Sequence, residues 1–122
     1  MAEVVWIAVI DDDASVRSGA SRLMRSQDYI CTAYESGEAA LADPDIRKAD
    51  CVILDIQLPG LNGFQTRDWM EGLGLRIPVV FITAHPDTGS PEWTNLLKGS
   101  VCLSKPFEAS DLIAAIQAVV QR

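Results

Sequence analysis

Acids, one hydroxyl and one amine stand directly after apolar runs in this sequence, and together they could handle a phosphoryl group. Asp11, Asp12 and Asp13 follow VVWIAVI, Asp55 follows CVIL, Thr83 follows IPVVFI, and Lys105 comes just after VCLS. Carboxylates packed together repel one another and take up protons unless something cationic sits among them. A hard dication meets that need, since oxygen ligands without His or Cys suit Mg²⁺ or Mn²⁺. Mg²⁺ is commonly held by one or two carboxylates with water and phosphate oxygens. A phosphoryl group is the natural anionic companion, with Lys105 neutralising one oxygen and Thr83 donating a hydrogen bond to another. An Asp carboxylate beside such an ion can act as the nucleophile that forms an acyl phosphate.

These residues work together only if the chain brings them to one rim. Val4 to Ile10 is an apolar run too short for a typical helix and rich in β-branched residues, so it reads as a strand buried on both faces. Ala14 to Gln27 follows helical spacing, with Asp13 as its cap. Tyr29 to Tyr34 reads as a second strand, and Ser36 caps a helix through Leu41 that Asp43 and Pro44 end. The connection through Lys48 reads as polar loop. Asp50 to Asp55 is a third strand, followed by the turn formers Pro59, Gly60, Asn62 and Gly63 and a helix from Phe64 to Leu73 with a ragged apolar face. Ile77 to Thr83 is the fourth strand. Ser90 and Pro91 start a short helix to Lys98 that Gly99 ends. Val101 to Leu103 is the fifth strand, and Leu112, Ile113, Ile116, Val119 and Val120 mark a last amphipathic helix.

Strands alternating with helices five times imply a parallel sheet covered on both faces, because parallel neighbours need right-handed crossovers. The expectation is a single flavodoxin-like α/β domain over 1–122, a (βα)5 sandwich with strand order 2-1-3-4-5. Ligands in such sheets sit at the carboxyl ends of the strands, where the order reverses between the first and third. The acids, Thr83 and Lys105 all fall there.

The composition narrows the function classes. The chain has 122 residues, 48% of them hydrophobic, and 17 acids against 10 bases give a formal charge of −7. Such a charge argues against nucleic acid or an anionic membrane as direct partners. The first residues carry no basic n-region, and their apolar run is too short for a signal peptide or a span, which places the protein in the cytoplasm. Cys31, Cys51 and Cys102 are odd in number and set in apolar runs, so they read as reduced core thiols.

Asp11 and Asp12, Asp55 within LDIQLPGLNG, Thr83 followed by Ala84, and Lys105 followed by Pro106 and Phe107 closely resemble the receiver domain of two-component response regulators. The resemblance runs from Val4 to Val120. It implies that Asp55 accepts a phosphoryl group from a phosphohistidine on a sensor histidine kinase or a phosphotransfer protein. It further implies Mg²⁺ held mainly by Asp12, with Asp11 partly through water, Asp55 itself, and the backbone carbonyl of Gln57. Thr83 and Lys105 would bind the phosphoryl oxygens, Ala84 would leave the path to Asp55 open, and the Lys105–Pro106 peptide would be cis. Gln57 and His85 occupy positions where relatives tune hydrolysis of the acyl phosphate, for which a slow rate is expected. The output would be a switch in binding to a downstream protein or output domain. A homodimer through the face of the fourth helix, fifth strand and fifth helix is a further implied partner.

The sequence also departs from that pattern. Cys102 stands where relatives carry Tyr or Phe, and Pro86, Gly89 and Pro91 shorten the helix before it. These departures suggest that the signal leaves through reordering of the segment from His85 to Trp93. Two other readings compete with the switch: a haloacid-dehalogenase-type phosphohydrolase with Asp11 as nucleophile, and a pseudo-receiver that binds partners without taking phosphate.

Overall fold

The computed structural model describes residues 4–87 and 90–120. Five parallel strands, β1 (Trp6–Ile10), β2 (Ile30–Tyr34), β3 (Cys51–Asp55), β4 (Val79–Thr83) and β5 (Cys102–Ser104), pair in the order β2-β1-β3-β4-β5. The helices are α1 (Ala14–Ser26), α2 (Gly37–Ala42), α3 (Gly63–Gly72), α4 (Pro91–Leu97) and α5 (Ala109–Val119). The flavodoxin-like reading and its strand order are therefore observed. Among the described residues no helix is long and apolar enough to cross a membrane.

Side chains alternate along each strand and feed two core layers. Ile7, Val9, Cys51, Ile53, Val80 and Ile82 pack with Met24 of α1 and Leu112 and Ile116 of α5. Ala8, Ile10, Val52, Leu54, Val79 and Phe81 pack on the other face with Ala40, Phe64 and Met70 from α2 and α3. Burial on both faces explains why the strands read as unbroken apolar runs.

The same alternation sorts the functional residues. Asp11, Asp55 and Lys105 continue the α1/α5 parity of Val9, Ile53 and Leu103, whereas Thr83 continues the opposite parity of Phe81. Asp13 does cap α1, its carboxylate accepting from the Ser15 and Val16 amides at 2.8 and 3.4 Å.

Several boundaries differ from the sequence expectation. The stretch before β3 is a 3-10 turn, Pro44–Lys48, rather than a polar loop, because Asp43 caps it and Ile46 is buried beneath it. β4 begins at Val79 because Pro78 has no N–H to add to the ladder. β5 is shifted one residue on, to Cys102–Ser104, and α4 ends at Leu97 with Lys98 in the left-handed region. The ragged face of α3 has a cause: it buries Thr66 and Arg67 alongside Phe64 and Met70. Gly89, expected to shorten the helix before β5, lies outside the described residues, as does Thr88 within the segment from His85 to Trp93.

Candidate functional site: an acidic rim with one lysine

The carboxyl ends of β1 and β3 set two acids side by side in the sheet. Asp11 is fully buried and Asp55 only 3% exposed, while Asp12 is exposed beside them. Each of the three brings a carboxylate oxygen within 4.8 Å of the others. The Lys105 ammonium donates to Asp11 Oδ2 at 2.8 Å and to Asp55 Oδ2 at 3.2 Å. The Lys105–Pro106 peptide that follows β5 is cis, as the resemblance implied.

The electrostatics follow from these distances. Burial and the neighbouring Asp11 charge push the Asp55 carboxyl above its ordinary value, although Lys105 and the Gln57 amide oppose the shift. Burial alone would lower the Lys105 ammonium. Its hydrogen bond to Asp11 and the charges of both acids outweigh that and leave it raised. The donor set is all oxygen, anionic and open on the Asp12 side, which fits a hard dication such as Mg²⁺.

The loop after β3 is built to hold Asp55 in place. The Gln57 amide donates to Asp55 Oδ1 at 3.1 Å. Gly60 has φ +72°, and the Glu38 carboxylate of α2 accepts from the Leu61 amide at 3.2 Å. Asn62 and Gln65 form a reciprocal capping box on α3. At Gly63 an added Cβ would lie 2.5 Å from the Asp55 carbonyl oxygen and 2.8 Å from Ile56 Cα. Both are backbone atoms that cannot swing aside. Gly63→Ala is therefore expected to cost about 1–3 kcal/mol of stability by overpacking. Urea unfolding checks this, and a midpoint equal to wild type would refute it.

Thr83 is fully buried at the end of β4. Its hydroxyl oxygen accepts from the His85 amide at 3.1 Å and donates to Gln57 Oε1 at 2.5 Å. Ala84 and His85 are exposed next to it. Cys102 is half-buried against the layer that contains Phe81, and burial pushes its thiol up. Trp93 of α4 joins the same layer, its ring edge-on to Phe64 at 5.5 Å.

Three contacts escape sequence reasoning. Glu38 steadies the loop, Arg17 donates to the Asp11 carbonyl at 2.9 Å, and Arg67 spans α3 and α4. The Arg67 guanidinium lies 5.6 and 5.4 Å from the Phe64 and Phe81 rings, pairs with Asp68 and Glu71, and donates to the Leu96 carbonyl. The two acids close behind it, Asp68 and Glu71, were the one local sign that this arginine could be buried.

A doubly covered parallel sheet with an acidic rim and a lysine across it defines the class of α/β domain in hand. The family described as response regulator receiver domain matches residues 7–117, and the chain belongs to that family. Nodulation protein W of Bradyrhizobium diazoefficiens is 34% identical over 120 residues, covering 95% of this chain and 51% of that protein. Sensory transduction protein RegX3 of Mycobacterium bovis is 34% identical over 119 residues, covering 95% and 51%. The chain thus spans about half the length of these curated relatives. The solved response regulator StyR superimposes with a TM-score of 0.83 at 30% identity, covering 98% of this chain and 60% of that one. Chemotaxis protein CheY4 of Vibrio cholerae shares the fold, with a TM-score of 0.84 at 24% identity over 96% and 99% of the two chains. The domain is accordingly a phospho-acceptor receiver of two-component signalling. The family match favours the receiver over the phosphohydrolase reading with Asp11 as nucleophile.

Proposed function

We propose that Asp55 is the residue that accepts the phosphoryl group, from a phosphohistidine on a sensor histidine kinase or a phosphotransfer protein. The observation that carries this is the Asp55 carboxylate, buried to 3% exposure, facing Asp11 and tied to Lys105. An Asp55 oxygen attacks phosphorus, the P–N bond of the donor breaks as the new O–P bond forms, and the electron pair returns to the imidazole nitrogen. Asp11, Asp12, Asp55 and the Gln57 carbonyl would hold Mg²⁺, or Mn²⁺. The bound ion offsets the charge of the incoming phosphoryl oxygens. Lys105 already stands at Asp55 Oδ2 and neutralises one transferred oxygen, and Thr83 serves another.

On this reading 1–122 works as one receiver unit of a cytoplasmic protein. It is a switch with slow self-hydrolysis, tuned by Gln57 and His85, and exposed Ala84 leaves the approach to Asp55 open. The signal passes through the segment from His85 to Trp93, with Cys102 in place of an aromatic, to a downstream protein, an output domain, or a homodimer partner on the α4–β5–α5 face. Direct nucleic-acid and membrane contacts lie outside it.

The test is peptide mass spectrometry after treatment with acetyl phosphate and Mg²⁺. A phosphoryl gain on the peptide containing Asp55 supports the reading. A gain on the Asp11 peptide, or none at all, overturns it.

An apolar groove of about 790 Å³ between α1 and the start of α5 opens beside Lys105, lined by Val16, Leu23, Pro106, Phe107 and Leu112. Its place next to the acceptor suits a helical face of the phosphohistidine donor. Leu23→Glu is expected to slow transfer from such a donor about tenfold, roughly the loss of one buried apolar contact. Labelling by acetyl phosphate stays at the wild-type rate. Equal slowing with both donors would remove the groove from the docking surface.

A further inference from the structure

A threonine hydroxyl has one proton to give and two lone pairs. In this structure the Thr83 proton is already committed: the hydroxyl donates to Gln57 Oε1 at 2.5 Å, while its oxygen accepts from the His85 amide at 3.1 Å. Thr83 is fully buried, so this is the hydrogen bond its environment supplies rather than one of many offered by water.

Gln57 also holds the other side of the site. Its backbone amide donates to Asp55 Oδ1 at 3.1 Å. One residue of the loop therefore grips an acceptor oxygen of Asp55 with its main chain and the Thr83 hydroxyl with its side chain. A phosphoryl group added to Asp55 brings oxygens that compete with the Gln57 amide for the single Thr83 proton. Lys105 does not enter this competition, since an ammonium has only donors; it donates to Asp11 and Asp55.

We propose that Gln57 is a positioning residue that latches Thr83 in its resting place and so sets the threshold at which a phosphoryl group draws the threonine over. The proposal rests on the phospho-acceptor reading of Asp55 and adds to it a named opposing contact. It predicts that removing the amide while keeping side-chain length and backbone makes the activated state easier to reach.

The experiment measures binding of beryllofluoride, a phosphoryl mimic, in the presence of Mg²⁺. Four proteins are compared: wild type, Gln57→Met, Thr83→Ala and the double variant. Loss of one side-chain hydrogen bond corresponds to about 2–10-fold in an equilibrium constant. Gln57→Met is expected to bind the mimic tighter by about that factor, and the same change made in Thr83→Ala is expected to have no effect. Weaker or unchanged binding by Gln57→Met, or an equal gain in both backgrounds, overturns the latch.

A second readout needs no phosphoryl mimic. The NMR scalar couplings of Thr83 report its χ1 rotamer, which the latch fixes in wild type and Gln57→Met releases to an average. Couplings unaltered by the substitution also overturn it. Should wild type bind no beryllofluoride, the phospho-acceptor reading fails and these couplings alone decide the latch.

Discussion

Asp55→Asn is expected to abolish labelling by acetyl phosphate and Mg²⁺ completely and, at neutral pH, to melt at a higher temperature than wild type. The first effect follows from removing the nucleophilic oxygen, because an amide cannot form the acyl phosphate. The second follows from the raised Asp55 carboxyl, which burial and Asp11 make harder to ionise in the fold than in the unfolded chain. A carboxyl raised in this way favours folding while it is protonated, and that contribution is lost as pH rises from the ordinary carboxylate range through the folded value. Asparagine has no proton to lose. The melting-temperature gap between variant and wild type should therefore open as pH rises through that window and close below it. Lys105 keeps its 2.8 Å bond to Asp11 in the variant, so the fold retains its internal cation. Intact mass and thermal scans across pH check both effects. Residual labelling of the variant would remove Asp55 from its role, and a variant less stable than wild type at neutral pH would refute the electrostatic account.

How far these residues could be read in advance depended on where their partners lie in the chain. Strand cores buried on both faces leave unbroken apolar runs, so Asp11, Asp55 and Thr83 stood out as the polar residues that end them. The caps Asp13, Ser36 and Ser90 were equally legible, because they bond to amides two or three residues on. Contacts between distant elements left no such mark. The bond from Thr83 to Gln57 spans 26 residues, the one from Arg67 to Leu96 spans 29, and the one from Leu61 to Glu38 spans 23. Gln57 was visible as a neighbour of Asp55, but its reach to Thr83 depends on β3 and β4 lying side by side. Arg67 reads as an exposed helix position until the Phe64 and Phe81 rings come beneath it. Buried Ile46 was missed for a related reason: a single apolar residue among Pro44, Asp45, Arg47 and Lys48 sets up no period.

Lys105→Met is expected to be the most destabilising single change at the rim. The ammonium side chain, 21% exposed, is shared between Asp11 Oδ2 and Asp55 Oδ2. Methionine fills much of the same space but leaves two buried carboxylates facing each other without a cation. Removing one partner of a buried ion pair costs about 3–5 kcal/mol, because the remaining charge is stranded. The acids can escape the penalty only by taking up a proton, and without the lysine the Asp55 carboxyl moves up further from its already raised position. Its protonated form then favours the fold, so the variant should be closest to wild type at low pH. It should lose stability progressively as pH rises through the raised folded value. The contribution of Lys105 itself in wild type has its limit at the other end: its raised ammonium holds the fold until pH climbs through that raised value. A dication that binds among Asp11, Asp12 and Asp55 replaces the missing positive charge in the folded state alone, and so raises stability with its concentration. Urea unfolding of wild type and Lys105→Met, run at several pH values with and without Mg²⁺, separates these terms. A variant whose stability at neutral pH does not respond to Mg²⁺ would argue that the three carboxylates do not hold the ion, whatever the protein does with phosphate.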